Sequence, residues 1–177
     1  MRINSRKKGK RGERKAASVL NQWTGMEFTS VPQSGGLRWK KTDNICGDII
    51  CTDALHRFDF SVEAKNYKEI NFEHLLMPDV DSKILQFWNQ AKADAERGKK
   101  IPLLLMRYDR LPADYFFTVI SIKTYNKLKP TLNLSKPYLY CRHYGFVIMH
   151  PDCLFGASYK KVKRITTHYI SQLYGAN

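Results

Sequence analysis

The sequence predicts an α/β domain, a mixed β-sheet with helices packed on it, from three observations. Two stretches repeat apolar residues at helical spacing: Ala16, Ala17, Val19, Leu20 and Trp23, then Ile84, Leu85, Phe87, Trp88 and Ala91. Short stretches between and after them alternate apolar and polar residues in part, as half-buried strands do. Residues Ile101 to Met106 form a continuous apolar run of strand length, the pattern of a strand covered on both faces. With 177 residues, 43% of them apolar and 12% aromatic, the chain has material for one substantial core.

Taken in order, residues 1–10 are polar, dense in Arg and Lys, and read as a flexible basic arm. A helix is expected from about Arg11 to Trp23, stopping near Gly25, followed by a loop at Gln33-Ser34-Gly35-Gly36. Asp48 to Thr52 and Arg57 to Ala64 read as strands joined by a turn at Asp53 to His56. A second helix runs from Ile84 to Arg97 and ends at Gly98, a residue that readily closes a helix. Strands follow at Ile101 to Met106 and Tyr115 to Ile122, and Tyr138 to Met149 reads as a hairpin turning near Gly145. The order helix, strands, helix, strand, strand is that of a mixed sheet with flanking helices. The division expected is a basic arm at 1–10, a core at 11–125, and a C-terminal extension at 126–177 packed on that core.

Charge narrows the partner. The 30 Lys and Arg against 16 Asp and Glu leave a formal charge of +14, an excess that marks a polyanionic ligand. No apolar run approaches the roughly 20 residues of a spanning helix, and no apolar segment follows the basic N-terminus, so nucleic acid in the cytoplasm is favoured over a membrane. Cys46, Cys51, Cys141 and Cys153 lack metal-ligand spacing and read as reduced thiols. Arg6, Lys7, Lys8, Lys10, Arg11, Arg14 and Lys15 make the densest basic cluster. Arg38, Lys40 and Lys41 surround Trp39, a mixture of charge and ring suited to a nucleic-acid groove. Lys160, Lys161, Lys163 and Arg164 make a third cluster, readable also as a solvated helix face.

Glu63-Ala64-Lys65 closes one expected strand, and residues two apart on a strand project to the same face. Asp48 opens the preceding strand and lies beside Glu63 if the two pair. Two converging acids repel unless protonated or neutralised by a cation. With oxygen ligands only, the ion expected is Mg²⁺, with Mn²⁺ able to substitute. Such a centre suits phosphodiester hydrolysis, with Lys65 orienting water or stabilising added negative charge. Alone, an ExK triplet is more readily a surface pair beside an unrelated acid.

The residues Gly47-Asp48-Ile49-Ile50 and Val62-Glu63-Ala64-Lys65 resemble the motif of the PD-(D/E)XK nucleases. Lys10-Arg11-Gly12-Glu13-Arg14, Ser34-Gly35-Gly36 and the stretch from Gln90 through Gly98 to Leu105 extend the likeness, over about Lys8 to Arg107, to Holliday junction resolvases of archaeal type and their phage relatives. The resemblance implies a restriction-endonuclease-like core, metal-dependent cleavage of branched DNA and a two-fold homodimer. It implies that Glu13 joins Asp48 and Glu63 at the metal, and that Ser34 approaches a backbone phosphate. The alternative for Glu13 is a charge that relieves repulsion with Arg11 or Arg14, and for Ser34 a plain turn. Gln90 is either a polar neighbour of Lys65 or a solvated helix residue. The competing functions are a sequence-specific restriction-type endonuclease on the same core and a binding module without catalysis. A binder has no use for clustered acids facing an anion.

Overall fold

The computed structural model describes residues 5–31, 46–53, 56–77, 80–112 and 114–175, the side chains of 5–7 excepted. Among the described residues seven strands form one sheet. They are β1 (Phe28–Ser30), β2 (Ile49–Cys51), β3 (Phe60–Tyr67), β4 (Ile101–Tyr108), β5 (Phe117–Ser121), β6 (Tyr138–Cys141) and β7 (Phe146–Met149), ordered β1-β2-β3-β4-β5-β7-β6. Only β3 and β4 run parallel, over eight paired residues from Phe60↔Ile101 to Tyr67↔Tyr108, and the other neighbours are antiparallel. The parallel pair needs a crossover, supplied by α2 (Lys83–Arg97).

The apolar run of β4 is explained by its place at the centre of the sheet. Ile101, Leu103 and Leu105 point into one core with Ala16, Ala17 and Leu20 of α1 (Ser5–Thr24) and Val62 and Ala64 of β3. Leu104 and Met106 point the other way, against Ile84, Phe87, Trp88 and Ala91 of α2. The sheet is therefore a wall with α1 on one face and α2 on the other, a restriction-endonuclease-like α/β arrangement.

Three expectations are corrected. The first helix begins at Ser5, not Arg11, so Arg6, Lys7, Lys8 and Lys10 belong to α1, while residues 1–4 of the expected arm lie outside the described residues. Arg and Lys are good helix formers, and the Lys8 ammonium is anchored 2.7 Å from Asp109. Strand β3 covers Phe60–Tyr67 rather than Arg57 to Ala64, so Glu63 and Lys65 stand inside a strand and not at its end. Asp59 is instead a clasp: its carboxylate accepts hydrogen bonds from Lys163 Nζ (2.7 Å), Thr166 Oγ1 (2.7 Å) and Thr167 Oγ1 (2.9 Å) of α5 (Tyr159–Tyr174). Finally, residues after 125 contribute strands to the sheet itself. Strand β7 pairs with β5 over four residues and carries β6 at the sheet edge, while Val162 and Ile170 of α5 are buried with α1 and β4 in one cluster. The hairpin turns at Gly145, which has the left-handed φ of 75°. Ile122 leaves β5 to start α3 (Ile122–Leu128), whose first turn is capped by Ser121 Oγ accepting from Thr124 N at 3.0 Å, and the short α4 (Pro151–Phe155) follows β7.

Candidate active site

The site is built where β2 parts from β3. The two strands share a single register pair, Ile49↔Val62. Gly47 makes the approach possible: its φ is 82°, and a Cβ there would lie 2.4 Å from the Val62 carbonyl oxygen. No side chain fits that space, and the left-handed backbone favours glycine besides. Asp48 then docks by its backbone, its N–H donating to Val62 O at 2.8 Å while its carbonyl accepts from Val31 N at 2.9 Å. Since β2 diverges here, the Ala64 N–H is left for the Asp48 side chain and donates to Oδ2 at 3.1 Å. The carboxylate is thus hung on the backbone between Glu63 and Lys65.

Glu63 is 1% exposed. Lys65 is ion-paired to its Oε1, while Oε2 is buried with no hydrogen-bond partner among the described residues. Burial pushes the Glu63 carboxyl up to about 8, the Asp48 charge adds to the rise, and Lys65 opposes it. Burial lowers the affinity of Lys65 for its proton, but Glu63 and Asp48 outweigh that and the net shift is upward. Lys65 stays an ammonium, and it lies 5.7 Å from the centre of the Phe87 ring of α2. Ring and ammonium attract through the ring's negative face, and the ring shields the cation from water on that side.

Glu13 is buried at 6% exposure on α1, across the sheet from α2. Its carboxyl is raised by burial and then by Asp48, and lowered by Lys10, Lys65 and Arg14, which places it within the field of the pair. Among the described residues no group of three acid, His or Cys side chains is close enough to hold a metal ion. The pair itself suits a divalent cation: two oxygen donors meet, and one buried oxygen has no donor of its own.

The remaining expected residues divide clearly. Gln90 is exposed on α2, and the α2 side chain meeting Lys65 is Phe87. Lys10, Arg11 and Arg14 are exposed along α1, and Lys8 is half-buried against Asp109. Arg6 and Lys7 belong to α1 with their side chains outside the description; Ser34, Arg38, Lys40 and Lys41 lie outside the described residues altogether. In the third basic cluster Lys163 is committed to Asp59. The four cysteines are free thiols. Sequence reasoning passed over Phe87, legible only as a helix core position, and Arg107. The signal for Arg107 was a lone cation at the end of the apolar run.

A buried Glu and its Lys partner on one strand, with an Asp beside them just ahead of the adjoining strand, have the residue types and order of the PD-(D/E)XK motif. A family model described as "Phage putative PDDEXK endonuclease" matches residues 4–164, and the chain belongs to that family of nucleases. "Protein D14" of Escherichia phage T5 is a similar protein, 32% identical over 111 residues, which span 62% of this chain and 68% of that one. No solved structure matches the chain. PD-(D/E)XK nucleases generally use divalent metals. No helix among the described residues is long and apolar enough to cross a membrane.

Proposed function

We propose that this nuclease is a Mg²⁺-dependent structure-specific DNA endonuclease, acting on branched DNA such as a four-way junction. The observation that carries the metal requirement is the buried Glu63 carboxylate beside Asp48, with an oxygen left unpartnered. Asp48 and Glu63 would hold the ion, with Mn²⁺ able to replace it. When bound, the metal would lower the pKa of a bound water and offset charge on the phosphoryl oxygens. Lys65 keeps its proton, so it acts as a hydrogen-bond donor and fixed positive charge toward the attacking water or the phosphoryl group, not as a base. Glu13, whose carboxyl feels the Asp48 charge, would join Asp48 and Glu63 at the ion.

Branched DNA is favoured by the resemblance to junction resolvases and by the cationic face of α1, where Lys10, Arg11 and Arg14 are exposed. Two symmetric nicks require two sites, which a two-fold homodimer provides. Ile84, Phe87 and Trp88 of α2 are buried in the core and offer no contact surface. The edge strand β6 remains, with Tyr138, Leu139 and Tyr140 each more than 40% exposed. The protein would work in the cytoplasm of a bacterial, archaeal or phage-infected cell.

The test offers a four-way junction, a flap, a linear duplex and a single strand, each with Mg²⁺ or with EDTA. Paired nicks in the junction with Mg²⁺ alone are expected. Cutting of linear duplex at a fixed sequence would replace this reading with the restriction type. No cutting of any substrate would leave a binding module.

A further inference from the structure

A cleft of about 420 Å³ opens on the α1 side of the sheet at the C-terminal ends of β3 and β4. It is lined by Lys8, Arg11 and Lys15 of α1, Asn66 of β3, and Arg107, Asp109 and Arg110. The α1 cations recur three and four residues apart, so they share one helix face. Five cations therefore face one carboxylate, and Asp109 is already taken by Lys8 at 2.7 Å. Among the described residues no acid lies within ion-pair distance of Arg11, Lys15, Arg107 or Arg110.

Arg107 is what makes this more than a charged surface. It is only 6% exposed, and its Nη2 donates to the Leu111 and Pro112 carbonyls at 2.8 and 3.1 Å, which orients the guanidinium plane. Its Nε is buried with no acceptor among the described residues. A buried donor on a cation with nothing to donate to is costly, and an anion in the cleft would remove that cost. The charges also strain one another. Burial lowers the Lys15 pKa, Arg107 and Arg11 lower it further, and Asp114 offsets this only in part. Arg107 is depressed in the same way by burial and Arg11, with Asp109 and Asp114 acting against the shift. Arg110 reaches the cleft from a left-handed backbone at φ 79°, an uncommon conformation for a residue with a side chain.

We propose that this cleft is a phosphate-binding site in which Arg11, Lys15, Arg107 and Arg110 hold a phosphate group of the bound strand other than the one being cut. Asn66 follows Lys65 directly on β3 but faces the opposite side of the sheet, so the cleft neighbours the Asp48–Glu63 centre without sharing its ligand. The inference rests on the nuclease reading only for the source of the phosphate, which is either an internal phosphodiester or a terminal phosphomonoester of DNA.

The test uses the full chain and the double variant Arg11→Gln, Lys15→Gln, which leaves the buried Arg107 in place. Inorganic phosphate is titrated in EDTA at constant ionic strength, with chloride as control, following the melting temperature. Phosphate should stabilise the wild type and leave the double variant unmoved. Duplexes with a 5′-phosphate or a 5′-hydroxyl are then bound in EDTA across a salt series. In the variant the slope of log K against log salt should shrink by about 0.9 for each phosphate that Arg11 and Lys15 no longer neutralise. Loss of a preference for the 5′-phosphate would assign a terminal group, and a reduced slope with no end preference would assign an internal one. Equal phosphate stabilisation and an equal slope in wild type and variant would overturn the site. Because neither measurement needs cleavage, failure of the nuclease reading would appear separately, as DNA that binds and is never cut with Mg²⁺.

Discussion

A carboxyl group enclosed as fully as Glu63, with Asp48 at its side, keeps its proton up to about pH 8 unless a cation neutralises the pair. Since this stands above the ordinary value of 4.5, the native metal-free protein holds a proton that the unfolded chain releases. Its contribution to stability is whole below about pH 4.5 and is lost as the pH rises toward about 8. Mg²⁺ on the pair would remove that loss. The ion should therefore raise the melting temperature more at about pH 8.5 than at about pH 5, and Glu63→Gln, with an amide that does not titrate, should flatten the difference. The same variant should cut at least about a thousandfold more slowly, a metal's charge stabilisation being worth several kcal/mol at about 1.4 kcal/mol per tenfold. Its DNA affinity should stay equal or rise, because one negative charge has gone. Mg²⁺ stabilisation that ignores both pH and Glu63→Gln would place the metal elsewhere.

Among the elements, α1 sets the distance between its basic face and the active strand, and two of its glycines separate propensity from packing. A Cβ on Gly9 meets nothing within 4 Å among the described residues, whereas one on Gly12 would lie 2.6 Å from the Asn66 Cβ of β3. Alanine is better than glycine in a helix by about 0.8–1 kcal/mol. Forcing a methyl into a filled space costs about 1–3 kcal/mol. Gly9→Ala should accordingly stabilise the protein in urea unfolding, and Gly12→Ala should fail to do so and lose stability on balance. Gly12→Ala should also slow cleavage, since lifting α1 from Asn66 carries Glu13 and Arg11 with it. A gain in both variants would mean that α1 does not pack on β3 at Gly12.

At the scale of the whole molecule, the sheet ends on β6, where Leu139 is 53% exposed and no further strand covers the edge among the described residues. An uncovered apolar edge is a pairing hazard unless a partner occupies it. Under the proposed assembly, Leu139→Lys should shift sedimentation from dimer to monomer and replace paired nicking of a junction with single nicks. The pocket behind this edge, lined by Phe72, Tyr115, Phe117 and Tyr138 among others, would be closed in the same interface. A wild-type monomer that makes paired nicks would remove the homodimer and leave the nuclease assignment standing.

The sequence by itself determined whatever depends on neighbours along the chain. Helical spacing marked α2, and Gly98 marked its end; the run from Ile101 to Met106 marked the central strand; Gly47-Asp48 and Glu63-Ala64-Lys65 marked the nuclease motif. These signals are local, because periodicity and turn chemistry are written within a few residues. Tertiary structure alone decided where β3 starts, since Asp59 leaves the expected strand to bind Lys163, 104 positions away. It decided that residues after 125 complete the sheet, through the pairing of β5 with β7. It also brought Glu13 into the field of Asp48, and Arg107 to Arg11 and Lys15. Strand pairing and the meeting of distant charges depend on the closure of the whole chain, and no window of the sequence contains both partners.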